Sequence, residues 1–216
     1  MLELGFAGIH ATVLELAGWD VVVVSGDWQA RERSENVAAE PAGRFDAVAD
    51  WLEEHRVPLV VDPVMVASSG ARLLEDDAVE ALVTRVFPLA TVVTPNVPEA
   101  RTIAACDNLS QAQLAEKLVA MGAPAALVTG GHAEAPVDHL FDGAEHHEIP
   151  VERHDVPATH GAGCTHSATL AALLARGLPL LDAARGAAEA ASRAVAQGLE
   201  EIGSGDGPVD VLGIRR

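Results

Sequence analysis

Cys164 closes a glycine turn, Thr159-His160-Gly161-Ala162-Gly163-Cys164-Thr165, that opens into an apolar run from His166 to Ala175. A turn of this composition points several backbone N–H groups at one spot, and a helix beginning there adds positive potential. Such a spot holds a phosphate, or the charge that develops while a phosphoryl group moves. A thiol at a helix start is also expected to lose its proton more readily than a free one. Taken alone, the segment reads equally well as a turn before a core helix, with Cys164 as a small filler.

Three other groups gain meaning beside it. Asp62 ends the run Pro58–Asp62 and continues into Pro63-Val64-Met65. Asn96 and Glu99 follow Thr91–Thr94, in Thr94-Pro95-Asn96-Val97-Pro98-Glu99. Thr129-Gly130-Gly131-His132 closes the run Ala125–Thr129. Asp62, Asn96 and Glu99 are oxygen donors of the kind Mg²⁺ takes directly or through water. Asn96 and Glu99 also have the spacing of a helix capping box, and the two roles are compatible at a helix start.

The elements that must position these groups alternate along the chain. Asp20–Val24, Pro58–Asp62, Thr91–Thr94 and Ala125–Thr129 are short β-branched runs that suit buried strands. Helical segments are expected at about Arg44–His55, Asp76–Phe87, Val97–Ala105 and Ser110–Met121, with two more, His166–Ala175 and Leu181–Gly198, after the glycine turn. Val137–Phe141 and His147–Val151, separated by Asp142-Gly143, predict a hairpin. Residues Asp27–Gly43 are polar and read as a loop. Strand–helix alternation predicts an α/β fold, a doubly wound, mostly parallel sheet with helices on both faces and a small hairpin. In such a sheet ligands sit beyond the carboxyl ends of the strands, where all four motifs fall.

Bulk properties narrow the function. The chain has 216 residues, 49% of them hydrophobic, which suits one packed domain, 1–216. Its net charge of -18 argues against nucleic acid as a partner. The sequence has no apolar run of membrane-spanning length and no basic leader, and its two cysteines make no disulfide framework. A cytoplasmic protein acting on a small molecule is the expectation.

The motifs as a set resemble those of the hydroxymethylpyrimidine/phosphomethylpyrimidine kinases of thiamine biosynthesis, within the ribokinase-like group. The resemblance is carried by Asp62-Pro63-Val64-Met65-Val66-Ala67-x-Ser69-Gly70, Thr94-Pro95-Asn96-x-Pro98-Glu99-Ala100, Gly130-Gly131-His132 and His160-Gly161-Ala162-Gly163-Cys164-Thr165. The tail Gly205-Asp206-Gly207-Pro208-Val209 is also similar, and the match runs from about Arg44 to Gly213. It implies ATP and Mg²⁺ as cofactors and phosphoryl transfer to a pyrimidine alcohol or its monophosphate. By this resemblance Cys164 is the base, and the amides of Gly161, Ala162, Gly163 and Cys164 stabilise the moving phosphoryl group. Asp62, Asn96, Thr129, Gly131 and Thr165 contact the nucleotide. Glu99, Asn96 and Asp62 organise the metal, and Val64 touches the substrate. Related kinases are often dimers, so a homodimer is expected.

Two departures stand out. The family commonly has a Lys where this chain has Thr129, and Arg153 and Lys117 are the cations that could replace it. The front of the chain, about 1–43, is short or atypical. Gly5-Phe6-Ala7-Gly8-Ile9-His10-Ala11 is faintly similar to part of the family's substrate loop, placing Gly8 at the substrate, but reads as well as a helix start. Rival chemistries are weaker. Seven of nine histidines lie between His132 and His166, without metal-site spacing, and are expected on the surface. Cys164 with His160 or His166 would give acyl transfer, but His166 should project away from the turn. Trp19, Trp28 and Trp51 read as packing residues. A pyridoxal-type kinase and a ligand-binding protein without turnover are the alternatives.

Overall fold

Short apolar runs become the centre of one sheet because their side chains are buried on both faces. In the computed structural model, which describes residues 2–6, 9–16, 19–26, 43–65, 73–131, 136–202 and 207–214, eight strands form a single sheet in sequence order. These are β1 (Leu2–Phe6), β2 (Ile9–Leu16), β3 (Trp19–Gly26), β4 (Leu59–Val61), β5 (Val92–Val93), β6 (Ala126–Val128), β7 (Val137–Phe141) and β8 (His146–Pro150). The four strands from β3 to β6 pair in parallel. Antiparallel strands flank them on both sides.

Helices cover both faces. They are α1 (Gly43–Glu54), α2 (Asp76–Ala81), α3 (Val97–Ala104), α4 (Gln111–Ala120), α5 (Ala162–Ala175) and α6 (Leu180–Ala196). Alternation along the strands sorts the core into two layers. Leu59 and Val61 of β4 pack with α1 to α4, together with Phe87, Leu114 and Leu118. Val60, one residue out of phase, packs on the other side with Leu127, Leu140 and Leu170. There Ala171, Ala175, Ala183, Ala184, Ala187 and Ala188 are buried between α5 and α6. Small side chains let these two helices approach closely.

Local chemistry sets several helix boundaries. Asn96 and Glu99 cap α3 reciprocally, and Ser110 and Gln113 do the same for α4. The expected helix Asp76–Phe87 is divided. α2 widens into a π turn over Leu82–Val86 and tightens into a 3-10 turn over Phe87–Leu89. Pro88 has no N–H to continue the ladder. The widened turn lets Leu82, Val86 and Phe87 all reach the core.

The front of the chain differs most from expectation. Gly5–Ala11 is not a helix start: Leu2–Phe6 and Ile9–Leu16 are strands, with Phe6 opposite Ile9. Gly8 lies outside the described residues, as does the expected loop over 27–42, while Gly43 already belongs to α1. The helix expected at His166 begins at Ala162, because Gly161, at φ 87°, turns the chain directly into its first turn. Two histidines expected on the surface, His139 and His166, are buried against the sheet.

Candidate active site

Each motif sits where a parallel strand ends or a helix begins. Asp62 leaves β4, Thr94 to Asn96 leave β5, and Thr129 leaves β6. Thr129 N–H donates to Pro95 O at 2.9 Å, and Asn96 bridges to Thr129, so the last two segments run side by side past the sheet. The turn before α5 completes the rim.

Backbone geometry makes that turn a donor site. Ala162 N–H is used by Thr159 O at 3.2 Å. Thr165 closes the first helical turn, its N–H and hydroxyl both donating to Gly161 O at 2.9 and 2.8 Å. The N–H groups of Gly163 and Cys164 donate to no backbone carbonyl among the described residues. A Cβ added at Gly163 would meet nothing within 4 Å, and the same holds at Gly131. Open space in front of free amides at a helix N-terminus is what an anion requires.

The acidic groups approach this turn through a hydroxyl chain. Ser167, three residues after Cys164 and so on the same side of α5, has its hydroxyl near enough to the Asp62 carboxylate to favour the charged form. Thr94 Oγ1 lies 3.0 Å from Ser167 Oγ and 3.3 Å from Val61 O. Glu99 Oε2 accepts from Asn96 N–H at 2.9 Å, and Asn96 Oδ1 from Glu99 N–H at 2.9 Å. Glu99 also accepts from the Met65 N–H, tying the segment after β4 to α3.

Negative charge is concentrated here. Both carboxylates keep some surface open to solvent. Burial still pushes Asp62 up to about 6, against the Ser167 hydrogen bond. Burial also pushes Glu99 up to about 7, and the nearby Asp62 adds to it while the amides resist. The expectation that Cys164 loses its proton readily is reversed. Burial of the thiol, together with the Asp62 and Glu99 charges and against its own amide, raises it to about 11. Burial and the two nearby carboxylates together outweigh the helix terminus.

The donor set fits a hard cation held partly by water. Among the described residues no three His, Cys, Asp or Glu side chains form a metal cage by themselves. Mg²⁺ does not need one, since it commonly takes one or two carboxylates and completes its shell with water and phosphate oxygens. Two mutually repelling carboxylates beside an open amide turn suit that arrangement. Asn96 Oδ1 is engaged by Glu99 N–H and keeps one lone pair for a further contact.

Comparison with known proteins agrees with this geometry. The family model for phosphomethylpyrimidine kinase matches residues 40–210. The chain belongs to the phosphomethylpyrimidine kinase family. Members similar to it include the hydroxymethylpyrimidine/phosphomethylpyrimidine kinase of Rhizobium meliloti, 45% identical over 76% of this chain and 64% of that one. The Haemophilus influenzae protein of the same name is 37% identical over 96% of this chain and 80% of that one. The chain thus spans less than two thirds of the first of these relatives. Among solved structures, an ADP complex of Bacillus subtilis pyridoxal kinase superposes with a TM-score of 0.72 at 32% identity. It covers 81% of this chain and 68% of the kinase. Ribokinase-like architecture is therefore established.

Asp62, Glu99 and Cys164 are close enough to influence one another's protonation, while Asn96, Thr129 and Thr165 lie on the same rim. Val64 is half-buried between Pro63 and Met65, both buried. Thr129 stands where the family's Lys would be. Lys117 is on α4, and Arg153 follows β8. The rest of the histidine cluster is engaged elsewhere: His139 Nε2 lies 2.9 Å from His146 Nδ1, and His146 Nε2 lies 2.9 Å from Glu116. His166 does project away from the glycine turn, towards Asp138. Ser167, Thr94 and the Met65 amide escaped sequence reasoning. A serine in an apolar helical run, one turn after Cys164, was the available signal.

Proposed function

We propose that this chain is an ATP-dependent kinase acting on hydroxymethylpyrimidine, on its monophosphate, or on both, in thiamine biosynthesis. The observation that carries it is the 3.0 Å contact between Thr94 Oγ1 and Ser167 Oγ, which joins the strand end leading to Asn96 and Glu99 to the helix bearing Cys164 and the open amides. Membership of the family and the likeness to an ADP-bound kinase support nucleotide use. The proposal treats the chain as one kinase domain, cytoplasmic and homodimeric, with a small-molecule acceptor.

The residues divide the work as follows. Gly163 and Cys164 N–H groups, with the turn from Gly161 through Ala162, receive the transferring phosphoryl group. One preorganised donor of this kind contributes roughly 10²–10³ in rate. Thr129, Gly131 and Thr165 line the nucleotide's side, and Val64 the pyrimidine's. Asp62, Glu99 and Asn96 hold Mg²⁺. When bound, Mg²⁺ supplies charge neutralisation between nucleotide phosphates. Cys164 Sγ takes the proton of the acceptor hydroxyl. Burial first, and the Asp62 and Glu99 charges after it, hold the thiol protonated, so Cys164 acts as a base only after its own proton has passed to solvent.

A coupled ADP-release assay with hydroxymethylpyrimidine, its monophosphate and pyridoxal tests the proposal. Pyrimidine turnover is expected. Turnover of pyridoxal alone would replace it by the second reading, which the pyridoxal kinase likeness favours. Binding without ADP release would mean a ligand-binding protein. Cys164→Ala should cut kcat by roughly 10²-fold or more. Its ATP affinity should stay within about 3-fold, as Sγ forms no phosphate contact in this scheme. An unchanged kcat removes Cys164 as the base.

A further inference from the structure

Two buried ionisable groups lie behind the site and take no part in the chemistry above. Asp138 on β7 and His166 on α5 are 4% and 5% exposed. Asp138 Oδ1 accepts the Gly130 N–H at 2.9 Å. Its Oδ2 faces His166 Nε2 at 3.5 Å, just beyond hydrogen-bond length, and neither ring nitrogen of His166 has a hydrogen-bond partner among the described residues. Retaining a poorly satisfied imidazole and a carboxylate in a core costs stability, which an apolar pair would not.

We infer that Asp138 and His166 are positioning residues that fix the loop Thr129–Gly131 to the first turns of α5. This rests on the kinase reading, in which that loop faces the nucleotide and α5 receives the phosphoryl group. The loop's base is locked from three directions. A Cβ on Gly130 would collide with Val137 O and crowd the Gln111 side chain. Gln111 Nε2 itself donates to Val137 O at 2.6 Å and Val128 O at 2.7 Å. Asp138 supplies the third hold, on the Gly130 amide. One residue later, a Cβ added at Gly131 would meet no described atom within 4 Å. A clamped residue followed by a free one presents the loop to a ligand at a set height.

The same carboxylate reaches the transfer helix. His166 follows Cys164 by two residues, which turns it to roughly the opposite side of α5. Ser167 then points back to Asp62. Consecutive residues thus brace the helix from two sides, Ser167 against the acidic rim and His166 against Asp138. Their joint effect is a fixed spacing between the nucleotide loop and the amides that meet its terminal phosphate. Losing 1 Å of such spacing can cost about 10² in rate.

Steady-state kinetics of the full chain, with Tm and calorimetric ADP affinity, test this. Asp138→Ala should raise KM for ATP roughly 10-fold, the weight of a hydrogen bond to a charged group. KM for the pyrimidine should change less than about 2-fold, as its contacts are untouched. Asp138→Asn, whose amide oxygen still accepts from Gly130, should recover most of the loss. His166→Leu should move KM for ATP in the same direction. The double variant Asp138→Ala/His166→Leu should be no worse than Asp138→Ala alone, the mark of two residues in one linkage. A purely structural pair would lower Tm and leave that KM split absent, which overturns the inference, as does additivity in the double variant. If Asp138→Ala does not fold, ADP affinity of folded Asp138→Asn and His166→Leu decides it: wild-type affinity in both overturns the coupling. Wild-type protein that binds neither ATP nor ADP removes the kinase reading and this inference together. Wild-type turnover with no KM split removes the inference alone.

Discussion

Glu99 concentrates the tension in this site. It caps α3, accepts from Met65, and is pushed to about 7 by burial and by Asp62. Its folded value lies above its ordinary one, so the native state holds the proton more tightly than the unfolded chain. That contribution is full below about pH 4.5, and it is lost as pH rises through about 7. Glu99→Gln keeps the capping geometry and removes the charge. The metal-free variant should therefore match wild type near pH 5 and exceed it by about 1 kcal/mol at pH 8, discounted for partial exposure. Urea unfolding at the two pH values checks this, and a gap independent of pH would refute it. His166, which burial lowers to about 4, opposes this trend in wild type and variant alike, so the difference between them isolates Glu99.

At the scale of elements, the first turn of α5 is shaped for a ligand rather than for stability. Gly163 carries helical backbone with open space beside it, so the fold itself accepts a methyl group there. Alanine is the better helix former by up to about 1 kcal/mol. Gly163→Ala should leave Tm unchanged or higher, while the methyl occupies the phosphate's place and lowers kcat/KM at least about 10-fold, as one lost phosphate contact would. A fully active variant would show that the open space is not used.

The same scale shows what could be read in advance. The central strands were legible because their unbroken apolar runs leave only a sheet covered on both faces, and α3 and α4 because Asn96-x-x-Glu99 and Ser110-x-x-Gln113 announce their starts. β1 and β2 were missed, although Leu2, Leu4 and Phe6 alternate with polar or small residues and each of the first two strands is followed by an Ala-Gly pair. Among site residues, Asp62, Glu99 and Cys164 were visible as strand-end and helix-start chemistry. Ser167, Asp138 and His166 were not, because their surroundings come from segments distant in sequence. The acidity of Cys164 was misjudged for the same reason: the helix terminus is local, whereas the two carboxylates arrive through the fold.

Over the whole molecule, stability and chemistry occupy opposite ends of the strands. Phe87 is fully buried beneath the start of β5, among Leu59, Leu82 and Val86. The acidic residues and the amide turn gather where β4, β5 and β6 finish. Phe87→Ala should cost about 3–5 kcal/mol in urea unfolding, as a large core truncation does. KM for ATP, measured on the folded fraction, should not move. A shifted KM would mean that the two ends are mechanically coupled.

The segment 207–210 joins three places. His160 N–H donates to Gly207 O and Val209 N–H to His160 O, Leu199 N–H donates to Pro208 O, and Asp210 N–H to Ala194 O. Gly207 has no room for a side chain against Leu199. These few peptide groups act as a buckle between the exit of α6 and the approach to the glycine turn before α5. Substitutions in this stretch would accordingly reach the turn before α5 through the backbone, from the far end of α6.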